Sequence, residues 1–76
     1  MIMNELLQVL KKVNPRIDFM NSKRLVTDKV LDSIDMTSLL AELEGTFNIE
    51  IEMEDITPEN FDSVEAIWNL IQELKE

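Results

Sequence analysis

Few side chains in this sequence can do chemistry, because it contains no histidine, no cysteine and no tyrosine. The commonest general base, thiol nucleophile and metal ligand are therefore missing together. Serine, threonine, lysine and carboxylates remain. Two serines stand out, each directly behind an aspartate: Asp32-Ser33 and Asp62-Ser63. A hydrolytic serine needs a base and an oxyanion hole, and a chain with one glycine has no Gly-rich turn to build the latter. Catalysis by this chain alone is not expected. A serine at the start of a helix can instead accept a group. The backbone N–H groups there favour a phosphate on its hydroxyl, while nearby carboxylates oppose it.

Context separates the two serines. Asp62-Ser63-Val64-Glu65 reads as a capping box opening the last helix, with Glu65 reaching back to Asp62. That is a complete structural account, worth about 1 kcal/mol. Ser33 has Met36 at the corresponding position and no such partner, although Asp32 could cap in its place with Asp35 at the third helical position. From local physics alone, capping still accounts for Ser33 better than modification does. The acids Glu50, Glu52, Glu54, Asp55, Glu59 and Asp62 invite a calcium reading. They lack the D-x-D-x-D-G pattern and the glycine that turns such a loop, so no metal site is expected.

The elements that must position these residues are helical. Met3, Leu6, Leu7, Leu10 and Val13 fall at helical spacing, with Lys11 and Lys12 where the helix dipole favours cations. Asn14-Pro15 stops this first helix. From Asn14 to Asp32 there is no clear period, yet Ile17, Phe19, Leu25, Val26, Val30 and Leu31 are too apolar for a disordered linker. This stretch is read as a packed loop crossing the top of a bundle.

A second helix starts at Asp32-Ser33, with Met36, Leu39, Leu40, Leu43 and Phe47 as its buried stripe. Its other face carries Asp35, Thr37, Ser38, Ala41, Glu42 and Glu44. Gly45 either ends this helix or destabilises it by about 1 kcal/mol from within. Asn48 to Asp55 alternates apolar and acidic residues but has no strand to pair with, and is read as an extended connector. Thr57-Pro58 opens a short helix, and Val64, Ile67, Trp68, Ile71 and Leu74 give the last helix its stripe. The fold expected is all-α: a small four-helix bundle of three longer helices and one short one, with the long loop between the first and second. Trp68 is expected to pack in the core.

Seventy-six residues allow a single domain spanning 1–76, with a core of modest stability. The net charge of −9 is unevenly placed. Residues 1–32 hold six bases and four acids, whereas residues 33–76 hold twelve acids and only Lys75. Nucleic acid is an improbable partner for such a surface, and partners with basic docking patches are favoured. The start of the chain has no basic-then-apolar leader, and no stretch is long and apolar enough to span a membrane, so a cytoplasmic protein is expected. One bundle accounts for the apolar stripes, so a monomer is expected.

Leu31-Asp32-Ser33-Ile34-Asp35 resembles the Asp-Ser-Leu signature of the acyl carrier protein family. The resemblance continues through Leu39-Leu40-Ala41-Glu42-Leu43-Glu44 to Phe47-Asn48-Ile49-Glu50-Ile51, then to the short third helix and the last amphipathic one. It implies that Ser33 carries 4′-phosphopantetheine, transferred from coenzyme A by a phosphopantetheinyl transferase, and that the thiol of this arm carries acyl groups as thioesters. A chain without cysteine would obtain its only thiol in this way. The resemblance further implies that Asp32 helps place the transferase's metal. Ile34 stands for the usual leucine and contacts partner enzymes. Asp35, Glu42 and Glu44 supply docking charge, and Ile56 with the Asp55–Phe61 segment borders the acyl pocket. The depth of that pocket rests on Leu43, Ile51, Ile56, Val64 and Ile67.

Departures from the family pattern bear on the pathway. Val30 stands where the usual glycine precedes the serine, and Leu31 replaces a small residue, as in stand-alone aminoacyl and D-alanyl carriers. Ser38 and Gly45 stand where fatty-acid carriers usually have acids. These favour a specialised carrier serving loading and synthase enzymes of a polyketide, nonribosomal peptide, lipid or cell-wall pathway over a housekeeping fatty acid biosynthesis carrier. A small acidic adaptor or inhibitor protein is the competing reading from another class.

Overall fold

The structure, a computed structural model, describes residues 3–75 and is helical throughout, with no strand among them. Helices α1 (Met3–Val13), α2 (Ser33–Phe47), α3 (Pro58–Phe61) and α4 (Val64–Leu74) are joined by loops. Those loops hold two 3-10 turns, at Phe19–Asn21 and Met53–Asp55. The expected four-helix bundle, three longer helices and one short, is what forms. α1 packs mainly on α2 and also touches α4, and α3 abuts α4.

Each helix begins and ends for a local reason. The N–H of Asn14 closes the last turn of α1 onto Leu10, and the Asn14 side chain then accepts the N–H of Arg16, turning the chain at Pro15. α2 is capped by Asp32, whose carboxylate accepts the N–H of Asp35 at 2.8 Å. Asn48 ends α2 in the left-handed conformation, with φ 55°. Gly45 therefore does not terminate the helix: it sits inside it, exposed. α3 opens with Thr57 as cap and Pro58 at its first position.

One boundary differs from expectation. Ser63, not Asp62, caps α4, its Oγ accepting the N–H of Ala66 at 3.1 Å. Glu65 does not close a capping box but approaches Lys23 at 3.0 Å. Asp62 is drawn away because the long loop offers it better donors. Its carboxylate accepts the N–H groups of Val26 and Thr27, both at 2.8 Å, and the Thr27 hydroxyl at 2.6 Å. Its carbonyl accepts the N–H of Leu25.

The core runs through all these elements. Leu6, Val9 and Leu10 of α1 meet Leu39, Leu43 and Phe47 of α2 and Val64, Ile67, Leu70 and Ile71 of α4 in one buried cluster. Phe19, Leu25 and Leu31 from the long loop, Ile49 from the connector after α2 and Phe61 from α3 complete it. Each such side chain contributes about 1.5–3 kcal/mol through burial. Val9 and Leu70 belong to this core although the spacing argument did not select them. Trp68 is half-buried and meets Phe47 edge-to-face, ring centroids 6.2 Å apart.

Candidate functional site

The long loop delivers Asp32 and Ser33 to the start of α2. Leu31 is buried and its N–H bonds the carbonyl of Leu25, so the chain enters the helix from a fixed anchor. Ser33 is the first helical residue and is exposed. Because Asp32 caps the helix, the Ser33 hydroxyl is released from that task. No hydrogen bond to its Oγ is found among the described residues, whereas the Ser63 hydroxyl is committed to capping α4. The sequence left open which residue caps α2, and the structure assigns the role to Asp32.

The electrostatics at Ser33 are mixed. The first N–H groups of α2 lack intrahelical acceptors and point outward with the positive end of the helix dipole. Asp32 and Asp35 oppose this with negative charge, but both carboxylates are engaged. Asp32 accepts from Asp35, and Asp35 accepts from Asn14 Nδ2 at 3.2 Å. In the sequence Asn14 marks only a helix stop, and no local spacing signals a contact 21 residues away. An exposed hydroxyl beside unpaired amides fits a phosphodiester joined to Ser33.

The acids expected to offer docking charge are not free. Glu42 lies 3.5 Å from Lys12 of α1. Glu44 accepts the N–H of Ile51 at 2.9 Å and thereby holds the connector after α2. Asp35, Glu42 and Glu44 are all half-buried, flanking the helix rather than crowning it. The exposed positions of α2 are Ser33, Ile34, Thr37, Ser38, Ala41, Gly45 and Thr46, none of them charged. Ile34 is 76% exposed beside Ser33, and Met53 on the connector is 89% exposed. Ile56 is also exposed, at the end of the second 3-10 turn.

The residues expected to set pocket depth are mostly closed. Leu43, Val64 and Ile67 are buried, Ile51 is half-buried and Ile56 is at the surface. None of these five lines either of two open grooves. One, of about 380 Å³, runs along α1 beneath Ile17–Met20. The other, of about 260 Å³, lies in the long loop between Asn21 and Val30. Among the described residues no group of three or more acids, histidines or cysteines is placed to hold a metal ion. No helix among them is long and apolar enough to cross a membrane.

The Asp62–Thr27 tie holds the loop that leads to Ser33. The Thr27 hydroxyl, then the Thr27 and Val26 amides and the charge of Arg24, hold the Asp62 carboxyl below its ordinary value against some desolvation.

Comparison with known proteins agrees with this picture. The family described as "Phosphopantetheine attachment site" matches residues 2–71. Aminoacyl carrier protein 1 of Bradyrhizobium diazoefficiens is 39% identical over 46 residues. The matched region is 60% of this chain and 51% of that relative, so it spans about half the relative's length. No solved structure matches the chain.

Proposed function

The chain belongs to the phosphopantetheine attachment-site family of carrier proteins, and from that premise we propose that Ser33 is the residue that takes the arm. The observation that carries this assignment is the division of labour at the two Asp-Ser pairs. Ser33 is exposed with its cap supplied by Asp32, while Ser63 is itself a cap. When bound, the arm supplies a terminal thiol that carries cargo as a thioester. On installation Ser33 loses its hydroxyl proton to a base of the transferase, and its Oγ forms the new bond to phosphorus. The nucleotide half of coenzyme A leaves with the electron pair of the broken P–O bond. Asp32 stands next to the reacting hydroxyl, where a carboxylate can help place the transferase's metal. Ile34, exposed beside it, gives partner enzymes an apolar contact, and Asp35, Glu42, Glu44 and Ile56 are the further docking positions that the family resemblance implies.

For the cargo we favour an aminoacyl or other short acyl group. Support comes from the aminoacyl carrier relative, from Val30 and Leu31 before the serine, and from the closed positions Leu43, Val64 and Ile67. A long acyl chain would need those residues to part, whereas a short polar cargo can stay at the surface. Reactions at the thioester belong to partner enzymes, since the chain has no histidine and no thiol of its own. The acidic adaptor reading gives no reason for the family match.

Intact mass after incubation with coenzyme A and a broad-specificity phosphopantetheinyl transferase tests the proposal. One added phosphopantetheine on the parent chain and on Ser63→Ala, and none on Ser33→Ala, is the expected pattern. Loss in Ser63→Ala with retention in Ser33→Ala overturns it.

A further inference from the structure

The groove between Asn21 and Val30 has no part in helix packing, and it lies close to Ser33 along the chain. Val30 precedes Ser33 by three residues, so their Cα atoms are at most about 11 Å apart, three steps of 3.8 Å. A phosphopantetheine arm contains two amide units flanked by a pantoyl and a cysteamine group. Extended, it exceeds the span of four residues, about 14 Å. An arm on Ser33 therefore reaches the groove.

The walls suit this occupant. Lys29 adopts the left-handed conformation, with φ 59°, which is unfavourable for a residue with a Cβ. The chain reverses there, Leu31 returns to bond Leu25, and Val30 is left 40% exposed. Its isopropyl group offers the gem-dimethyl carbon of the arm an apolar wall. Arg24 uses Nε to hold Asp28 at 3.1 Å, which leaves its terminal nitrogens without a partner among the described residues. These can donate to the arm's phosphodiester or to an amide carbonyl. Asn21 and Ser22 are fixed by bonds to Asp18, at 2.8 and 2.7 Å. Lys23 is held by Glu65 on the far rim. With Lys23 paired to Glu65 and Arg24 to Asp28, the groove is close to neutral in a chain whose net charge is −9, so it does not repel the arm's phosphodiester.

We propose that this loop groove, walled by Arg24 and Val30, is the resting site of the phosphopantetheine arm between partner encounters. This inference rests on Ser33 being the attachment site. It gives the long loop a role of its own: parking the thiol away from α2 while leaving Ile34 free.

The test compares 15N- and 13C-labelled protein before and after loading with coenzyme A and transferase, with intact mass confirming the load. The expected result is amide shifts at Asn21–Arg24 as well as around Ser33, with cross-peaks between the arm's gem-dimethyl protons and the Val30 methyls. Arg24→Gln should load fully by mass yet lose the Asn21 and Ser22 shifts. A fully loaded sample whose shifts stay within residues 31–36, with no Val30 cross-peak, overturns the resting site and leaves the attachment assignment intact. An unchanged mass overturns both.

Discussion

The carboxylate of Asp32 accepts the backbone N–H of Asp35 at 2.8 Å, and that bond decides what Ser33 is free to do. With the cap supplied from outside the helix, Ser33 holds a first-turn position in which its hydroxyl has no structural duty. Ser33→Ala should therefore shift stability by no more than about 0.5 kcal/mol while removing phosphopantetheine attachment completely. Asp32→Ala should destabilise by about 1 kcal/mol, a fall in Tm of roughly 4–8 °C for a domain of this size. Thermal melts followed by circular dichroism, paired with intact mass, measure both.

Ser63→Ala should show the opposite pattern. Its hydroxyl caps α4 through Ala66, so the variant should lose about 1 kcal/mol of stability and still accept the arm. A melt unchanged from the parent protein would contradict this capping role.

Asp62 gives the fold a defined acid sensitivity. Its carboxyl is held below its ordinary value of 3.8, chiefly by the Thr27 hydroxyl. Its contribution to stability is thus fully present above 3.8 and is lost as pH falls through the depressed native value. Asp62→Asn should lower Tm at neutral pH and flatten the loss of Tm on acidification from about pH 5 to about pH 2. Urea melts across that range would show whether the two curves converge at the acid end.

Gly45 is an exposed glycine inside α2, and a Cβ added there meets nothing within 4 Å. Gly45→Ala should stabilise the protein by about 0.5–1 kcal/mol, through lower unfolded-state entropy and better helix propensity. A Tm rise should be accompanied by unchanged arm attachment.

Ile34 is 76% exposed beside Ser33 and contributes nothing to the buried core. Ile34→Asp should leave Tm nearly unchanged but reduce kcat/KM for the transferase about tenfold or more, as expected for an apolar anchor at an interface centre. Equal rates for the variant and parent would remove Ile34 from the docking surface.

Much of this was legible in the residues. The bounds of α1 and the starts of α2 and α3 follow from short-range chemistry: apolar spacing, Asn14-Pro15, a cap residue at Asp32 or Ser33, and Thr57-Pro58. The two Asp-Ser pairs could be told apart, but for an incomplete reason, because Asp62 was assigned to the cap that Ser63 makes. Its true donors, Val26 and Thr27, lie 36 and 35 residues earlier, and no local spacing announces them. Gly45 was ambiguous because a glycine can end a helix or sit inside one at a cost, and the packing of Phe47 carries α2 past it to Asn48.

By itself, then, the sequence determined the helices, the absence of any cysteine or histidine, and a serine placed at a helix start. Those properties depend on side-chain type and on contacts within a few residues. Tertiary structure alone decided that Asp35, Glu42 and Glu44 are engaged by Asn14, Lys12 and the Ile51 amide, which leaves an uncharged outer face on α2. It alone tied Asp62 to the loop and opened a groove beside Val30. Such arrangements come from packing elements distant in sequence, where the nearest available donor wins the carboxylate whatever the local pattern suggests.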